Sequence, residues 1–216
     1  MPVIVDDEFV VEEFVQGIPE SPSTMAFVGQ DILVLQKSNG QVRVIRDGAL
    51  QGLPALDVNV DNKGEQGMLG IATVDERVYL YFSESETDGG NAIAKRVYRY
   101  TWDHNRLIDP ELVRDLNATQ QYHNGGAMAS TAEGAVYLVL GDAGRYGALQ
   151  NNGVENFADT SVIMRVDSEE PYYAIGIRNS FGLAIDPVNS KMWDTENGDD
   201  MYDEINLVDR GFTGSR

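Results

Sequence analysis

The sequence predicts an all-β chain built from four successive blades of a β-propeller. Three observations carry this reading: one pattern recurs four times, the apolar residues in each repeat alternate with period two, and 22 glycines accompany few long amphipathic stretches. A β-sandwich would use similar strands, but sandwiches rarely repeat one pattern in register four times.

Each unit opens with a strand of the same form. These are Thr24-Met25-Ala26-Phe27, Gly70-Ile71-Ala72-Thr73, Ala127-Met128-Ala129-Ser130 and Gly182-Leu183-Ala184-Ile185. The central alanines lie 46, 57 and 55 residues apart, near the period expected of propeller blades. A polar turn and a second strand follow: Ile32 to Leu35, Val78 to Phe82, Val136 to Leu140, and Met192 with Trp193. A later strand closes each unit, in Val42 to Ile45, Val97 to Tyr100, Val162 to Arg165 and Ile205 to Val208. Turn-rich stretches such as Ser85 to Asn91 and Asn151 to Thr160 are expected to lie between units, and the stretch before Pro22 is expected to supply a closing or capping strand. The blades then span roughly residues 22–50, 66–103, 123–168 and 178–210 of a single domain covering 1–216.

Counting six residues back from the repeat alanine reaches Gln66, His123 and Arg178 in the second, third and fourth units. The first strand of a blade lines the central channel, so residues just before it belong to loops at one end of the axis. An amide, an imidazole and a guanidinium are therefore expected to converge there. The second strand runs back to that end, which adds Asp142 and the segment Glu196 to Asp199. A histidine near neutral pKa can take a proton from an alcohol, and a carboxylate such as Asp142 can hold its tautomer. Arg178 keeps its charge and suits charge developing on an acceptor oxygen. His104 lacks a counterpart in this register and reads as a surface residue of an interblade loop.

The run from Glu196 to Asn206 packs five acids into a turn before a strand. Hard oxygen donors without sulfur suit calcium, although the spacing is not that of an EF-hand and a solvated acidic turn is the alternative. The formal charge of −19 argues against non-specific nucleic-acid binding and is expected to be mostly solvated surface. No run approaches the ~20 apolar residues of a membrane span, and the N-terminal residues lack a signal-peptide pattern. With no cysteine, disulfides and thiolate metal sites are excluded. Asn117-Ala118-Thr119 matches a glycosylation sequon by pattern only.

These motifs, taken in order, resemble the soluble quinoprotein sugar dehydrogenases that use pyrroloquinoline quinone (PQQ), including aldose dehydrogenases. The likeness rests on Met25 to Phe27, Gly64 to Ile71, His123 to Gly126, Gly141 to Gly144, Gly176 to Asn179 and Glu196 to Leu207. It implies a six-bladed propeller that oxidises the anomeric carbon of an aldose with hydride transfer to PQQ, then passes electrons to an external acceptor. By resemblance His123 matches the general base, Asp142 its carboxylate partner and Gln66 an amide near the sugar, while Arg178 and Asn179 match contacts to the quinone. Gly198 and Asp199 would offer carbonyls to the Ca2+ that positions PQQ, and Glu204 would ligate a structural calcium. A periplasmic or extracellular location is implied in the same way. Asp199 stands where the family usually has proline, and Tyr122 where the glucose dehydrogenase branch has aspartate. The family continues beyond the segment matched by Gly211 to Gly214, so the chain is expected to be part of a longer protein, with a shortened relative as the alternative, and, alone, neither to oxidise sugars nor to hold PQQ tightly. A catalytically silent propeller that binds a sugar or protein, and a calcium-dependent lactonase-like hydrolase, are the competing readings.

Overall fold

Period-two runs rich in β-branched and aromatic residues become strands throughout a computed structural model of the chain, which describes residues 5–6, 8–19, 21–116, 121–144 and 159–213. The strands form four sheets, the blades of a propeller. Blade 1 holds β1 (Pro22–Val28), β2 (Asp31–Gln36), β3 (Gln41–Arg46) and β4 (Ala49–Leu50), with β5 (Leu56–Asp57) also paired to β3. Blade 2 holds β6 (Met68–Val74), β7 (Arg77–Ser85), β8 (Ala92–Trp102) and β9 (Leu107–Leu116). Blade 3 holds β10 (Met128–Ser130), β11 (Val136–Leu140), β12 (Val162–Arg165) and β13 (Tyr172–Ile175). Blade 4 holds β14 (Ser180–Ile185), β15 (Met192–Glu196) and β16 (Glu204–Val208), after which β17 (Phe212–Thr213) returns to pair parallel with β13.

Inner strands β1, β6, β10 and β14 neighbour one another in that order. Residues following the repeat alanines fasten them. Thr73 Oγ1 donates to Phe27 O at 2.8 Å, and Ser130 Oγ donates to Thr73 O at 2.9 Å. Between blades the side chains form continuous apolar seams. Leu33, Leu35, Val78, Leu80 and Phe82 join blades 1 and 2; Tyr79, Tyr81, Val97, Leu138 and Met164 join blades 2 and 3. Val139, Ile163, Met192 and Val208 join blades 3 and 4. Each such side chain contributes about 1.5–3 kcal/mol by leaving water.

Four features differ from the sequence reading, the first being that the Ser85 to Asn91 stretch joins β7 to β8 inside blade 2 and does not lie between blades. Outer strands β4, β9 and β13 were not anticipated, because an outermost strand faces water and loses the apolar run that marks an inner one. In β9, Pro110 and three acids interrupt any such run, which an edge strand tolerates. His104 consequently sits in the β8–β9 hairpin inside blade 2 and not between blades, its side chain 71% exposed. No strand occurs among described residues 8–19. That segment lays Val15 and Ile18 against Ile32, Val34 and Ile45, and Ser21 O accepts Lys37 N at 3.1 Å. Pro19 has no N–H for a ladder, so the segment is a strap on blade 1. The sequon at 117–119, most of the 151–160 stretch and Gly214 lie outside the described residues. Among the described residues no helix is long and apolar enough to cross a membrane.

Candidate functional site

Loops preceding the inner strands and following the second strands meet at one end of the axis. His123 is central to them and takes φ of 54°, a left-handed conformation uncommon for a residue with a Cβ. Its carbonyl accepts Ala143 N at 3.3 Å. Close approach explains the neighbouring glycine: a Cβ on Gly141 would lie 2.3 Å from His123 O and 2.8 Å from Arg178 O, so only glycine lets loops of blades 3 and 4 touch.

His123 Nδ1 stands 2.6 Å from Asp142 Oδ1. Asp142 is fully buried, accepts Gly144 N at 2.9 Å on the same oxygen, and donates its own N–H to Arg178 O at 2.8 Å. A carboxylate so held fixes the proton on Nδ1 and leaves Nε2 as the ring nitrogen able to accept one. Sequence register thus brings His123 and Asp142 into direct contact.

A second set of contacts was not legible from that register. Glu65, next to the expected Gln66, sends Oε2 to Asn124 N and to Asn179 Nδ2, each at 3.2 Å. Asn179 Oδ1 accepts Gly125 N at 3.1 Å. One carboxylate and one amide therefore tie blades 2, 3 and 4 together on the C-terminal side of His123. Gln66 is itself buried, with its N–H on Lys63 O at 3.0 Å. The pair Glu65-Gln66 between two glycines was the available signal, and only the fold shows which side chain crosses to Asn179.

Arg178 reaches the acidic loop. Its Nη1 donates to Asn197 O at 3.0 Å and its Nη2 to Asp199 Oδ1 at 3.2 Å, while its backbone N donates to Glu196 Oε1 at 2.5 Å. Burial raises the Glu196 carboxyl above its usual range, and Asp194 and Glu204 add to this against the Arg178 N–H. Gly198 N donates to Asp203 Oδ1 at 3.0 Å. Glu204 begins β16 opposite Glu196, within 3.5 Å of Asn206 Nδ2. The carboxylates of Asp199 and Glu204 thus have separate partners, and among the described residues no three His, Asp or Glu side chains gather as a metal site. What the turn does gather is oxygen: a Cβ on Gly198 would meet Met201 O at 2.2 Å and Tyr202 O at 2.8 Å, a carbonyl-rich bend whose donor type suits calcium.

A cleft of about 370 Å³ opens along the axis, bounded by Lys37, Gly64, Glu65, Gly125, Met128 and Leu183. Its volume is that of small-ligand sites. Lys37 is the cation lining the cleft, and its ammonium suits an anionic ligand such as PQQ; the Arg178 guanidinium is held instead by Asn197 O and Asp199.

Comparisons with known proteins agree with this architecture. The family model described as glucose / sorbosone dehydrogenase matches residues 19–213. An aldose sugar dehydrogenase of Escherichia coli is 24% identical over 92% of this chain and 59% of its own length, and an uncharacterised protein of Synechocystis is 26% identical over 89% and 55%. The chain therefore spans somewhat over half the length of these curated relatives. Among solved structures, the PQQ-bound form of an aldose sugar dehydrogenase from Streptomyces coelicolor superposes with a TM-score of 0.78 at 25% identity, covering 94% of this chain and 64% of that one.

Proposed function

Because the chain belongs to the glucose / sorbosone dehydrogenase family, we propose that it carries the proton-transfer half of a PQQ-dependent aldose dehydrogenase site. The observation that supports this most is the His123–Asp142 pair, 2.6 Å apart, with His123 in the loop that contributes Gly125 to the cleft. With Nδ1 held by Asp142, Nε2 accepts the proton of the anomeric hydroxyl, and the fixed carboxylate stabilises the imidazolium that results. PQQ, when bound, would supply the acceptor for the hydride that leaves the anomeric carbon. Arg178 and Asn179 would hold the quinone, the first by charge and the second through an amide already fixed by Gly125 and Glu65. Gln66 would contact the sugar. Calcium would be held by the carbonyls of Gly198 and Asp199, with Glu204 at a structural calcium, and would offset the repulsion between anionic PQQ and a chain of charge −19. Substrate, external electron acceptor and a periplasmic or extracellular setting belong to this same reading.

The test is aldose-dependent reduction of an artificial electron dye by the chain completed to the length of its relatives and loaded with PQQ and calcium. His123→Ala should lower kcat about 10²–10⁴-fold. A loss under about tenfold removes His123 as the base. Absence of any aldose-dependent reduction with PQQ demonstrably bound overturns the functional reading itself.

A further inference from the structure

Lys95 is an anomaly in the seam between blades 2 and 3. It lies on β8 in register with Ser83 of β7, two residues from the buried Val97, and is only 5% exposed. Burying an ammonium is costly unless it is paired, so its partners are informative. Nζ donates to Asn124 Oδ1, and Asn124 immediately follows His123. Every polar group of Asn124 given a partner points to a fixed one: N to Glu65 Oε2 at 3.2 Å and Nδ2 to Gln121 O at 2.9 Å. Behind the histidine loop a cavity of about 20 Å³, large enough for one water, is bounded by Tyr81, Lys95, His123, Asn124, Gly141 and Asp159. The buried Tyr81 hydroxyl has no hydrogen-bond partner among the described residues. A single ordered water there would satisfy it.

We propose that Lys95 is the positioning residue of the His123 loop: a buried cation of blade 2 that grips Asn124 and holds the left-handed turn presenting the imidazole. Its meaning for catalysis rests on His123 being the base, but the coupling is a property of the folded chain. Burial brings the Lys95 amine down to about 8, while the Asp61 and Glu65 carboxylates act in the opposite direction. The groups facing His123 are Asp142 at Nδ1, Lys95, Asp159 and the Tyr81 phenol around the cavity, Glu65 through Asn124 N, and Arg178 across Gly141. Lys95 is the cation among those bounding the cavity.

The chain has two histidines, so the imidazole signals in NMR spectra resolve His123, with exposed His104 as an internal reference. In Lys95→Met the His123 ring signals should shift and broaden, because the turn that presents the imidazole loses its hold on Asn124, while those of His104 stay in place. Lys95→Arg should return the His123 signals toward their wild-type positions. A folded Lys95→Met protein with unmoved His123 signals overturns the proposal. The measurement needs neither PQQ nor sugar, so loss of the dehydrogenase reading and loss of this coupling are separable outcomes.

Discussion

β7 and β15 are both second strands of their blades, yet β7 is buried along six consecutive residues, Val78 to Ser83, whereas β15 alternates buried and exposed. The difference lies in what stands on each side. Blade 2 is sandwiched, with Val78, Leu80 and Phe82 against blade 1 and Tyr79 and Tyr81 against blade 3. Blade 4 is covered on the Met192 and Val208 face alone, and Trp193, Ile205 and Leu207 are 41%, 75% and 38% exposed on the other. A strand with two covered faces reads as a continuous apolar run, and one with a single covered face reads as an alternation. The comparison also shows where polar residues become expensive: Lys95 and Asp194 both sit in covered seams.

The widest gap between the two blades should appear on removing a side chain from the sandwiched one. Phe82 is 2% exposed and stacks on Tyr98 with ring centroids 5.5 Å apart. Phe82→Ala should cost about 3–5 kcal/mol in denaturant unfolding. A cost near 1 kcal/mol would mean that the seam between blades 1 and 2 is loosely packed.

An intermediate effect of opposite sign is expected from Asp194, on the covered face of blade 4. It is fully buried, receives Ser180 Oγ on one oxygen, and has no hydrogen-bond partner on Oδ2 among the described residues. Burial raises its carboxyl from 3.8 to about 6. The native state then binds the proton more tightly than the unfolded chain, so stability is greatest below about 4 and declines as pH rises through about 6. Asp194→Asn should therefore raise stability at pH 7 by on the order of 2–3 kcal/mol and have little effect near pH 4. Equal gains at both pH values would show that desolvated charge is not the cause.

The smallest effect belongs to the uncovered face. Ile205→Thr should change stability by no more than about 0.5 kcal/mol, since the side chain is already in water. A loss of 2 kcal/mol or more in the same assay would show that this face is covered in solution and that the contrast between blades 2 and 4 is smaller than the structure draws it.

Legibility followed burial. Inner and second strands were readable because their side chains alternate against a neighbour on at least one face. β9, with Pro110 and its acids in water, carries no such signal, and the strap over blade 1 packs Val15 and Ile18 on that blade without forming the strand expected before Pro22. At the site, His123 and Asp142 were readable since both occupy repeated positions at strand ends. Glu65 and Lys95 were not. Glu65 differs from Gln66 by one place in the chain but by which loop it crosses to, and Lys95 hides in a strand pattern where a lysine ordinarily marks a solvated edge.

The sequence by itself determined the class of the protein: alternation and repeat period are local properties, fixed by the geometry of a single strand and by the spacing of equivalent strands. It also determined which chemistry is at hand, an imidazole with a carboxylate and a guanidinium at one end of the blades. The tertiary structure decided which of these groups touch. Contacts such as Glu65 with Asn179, 114 residues apart, or Lys95 with Asn124 across a seam, depend on how one blade is set against the next, and that setting comes from packing many side chains at once.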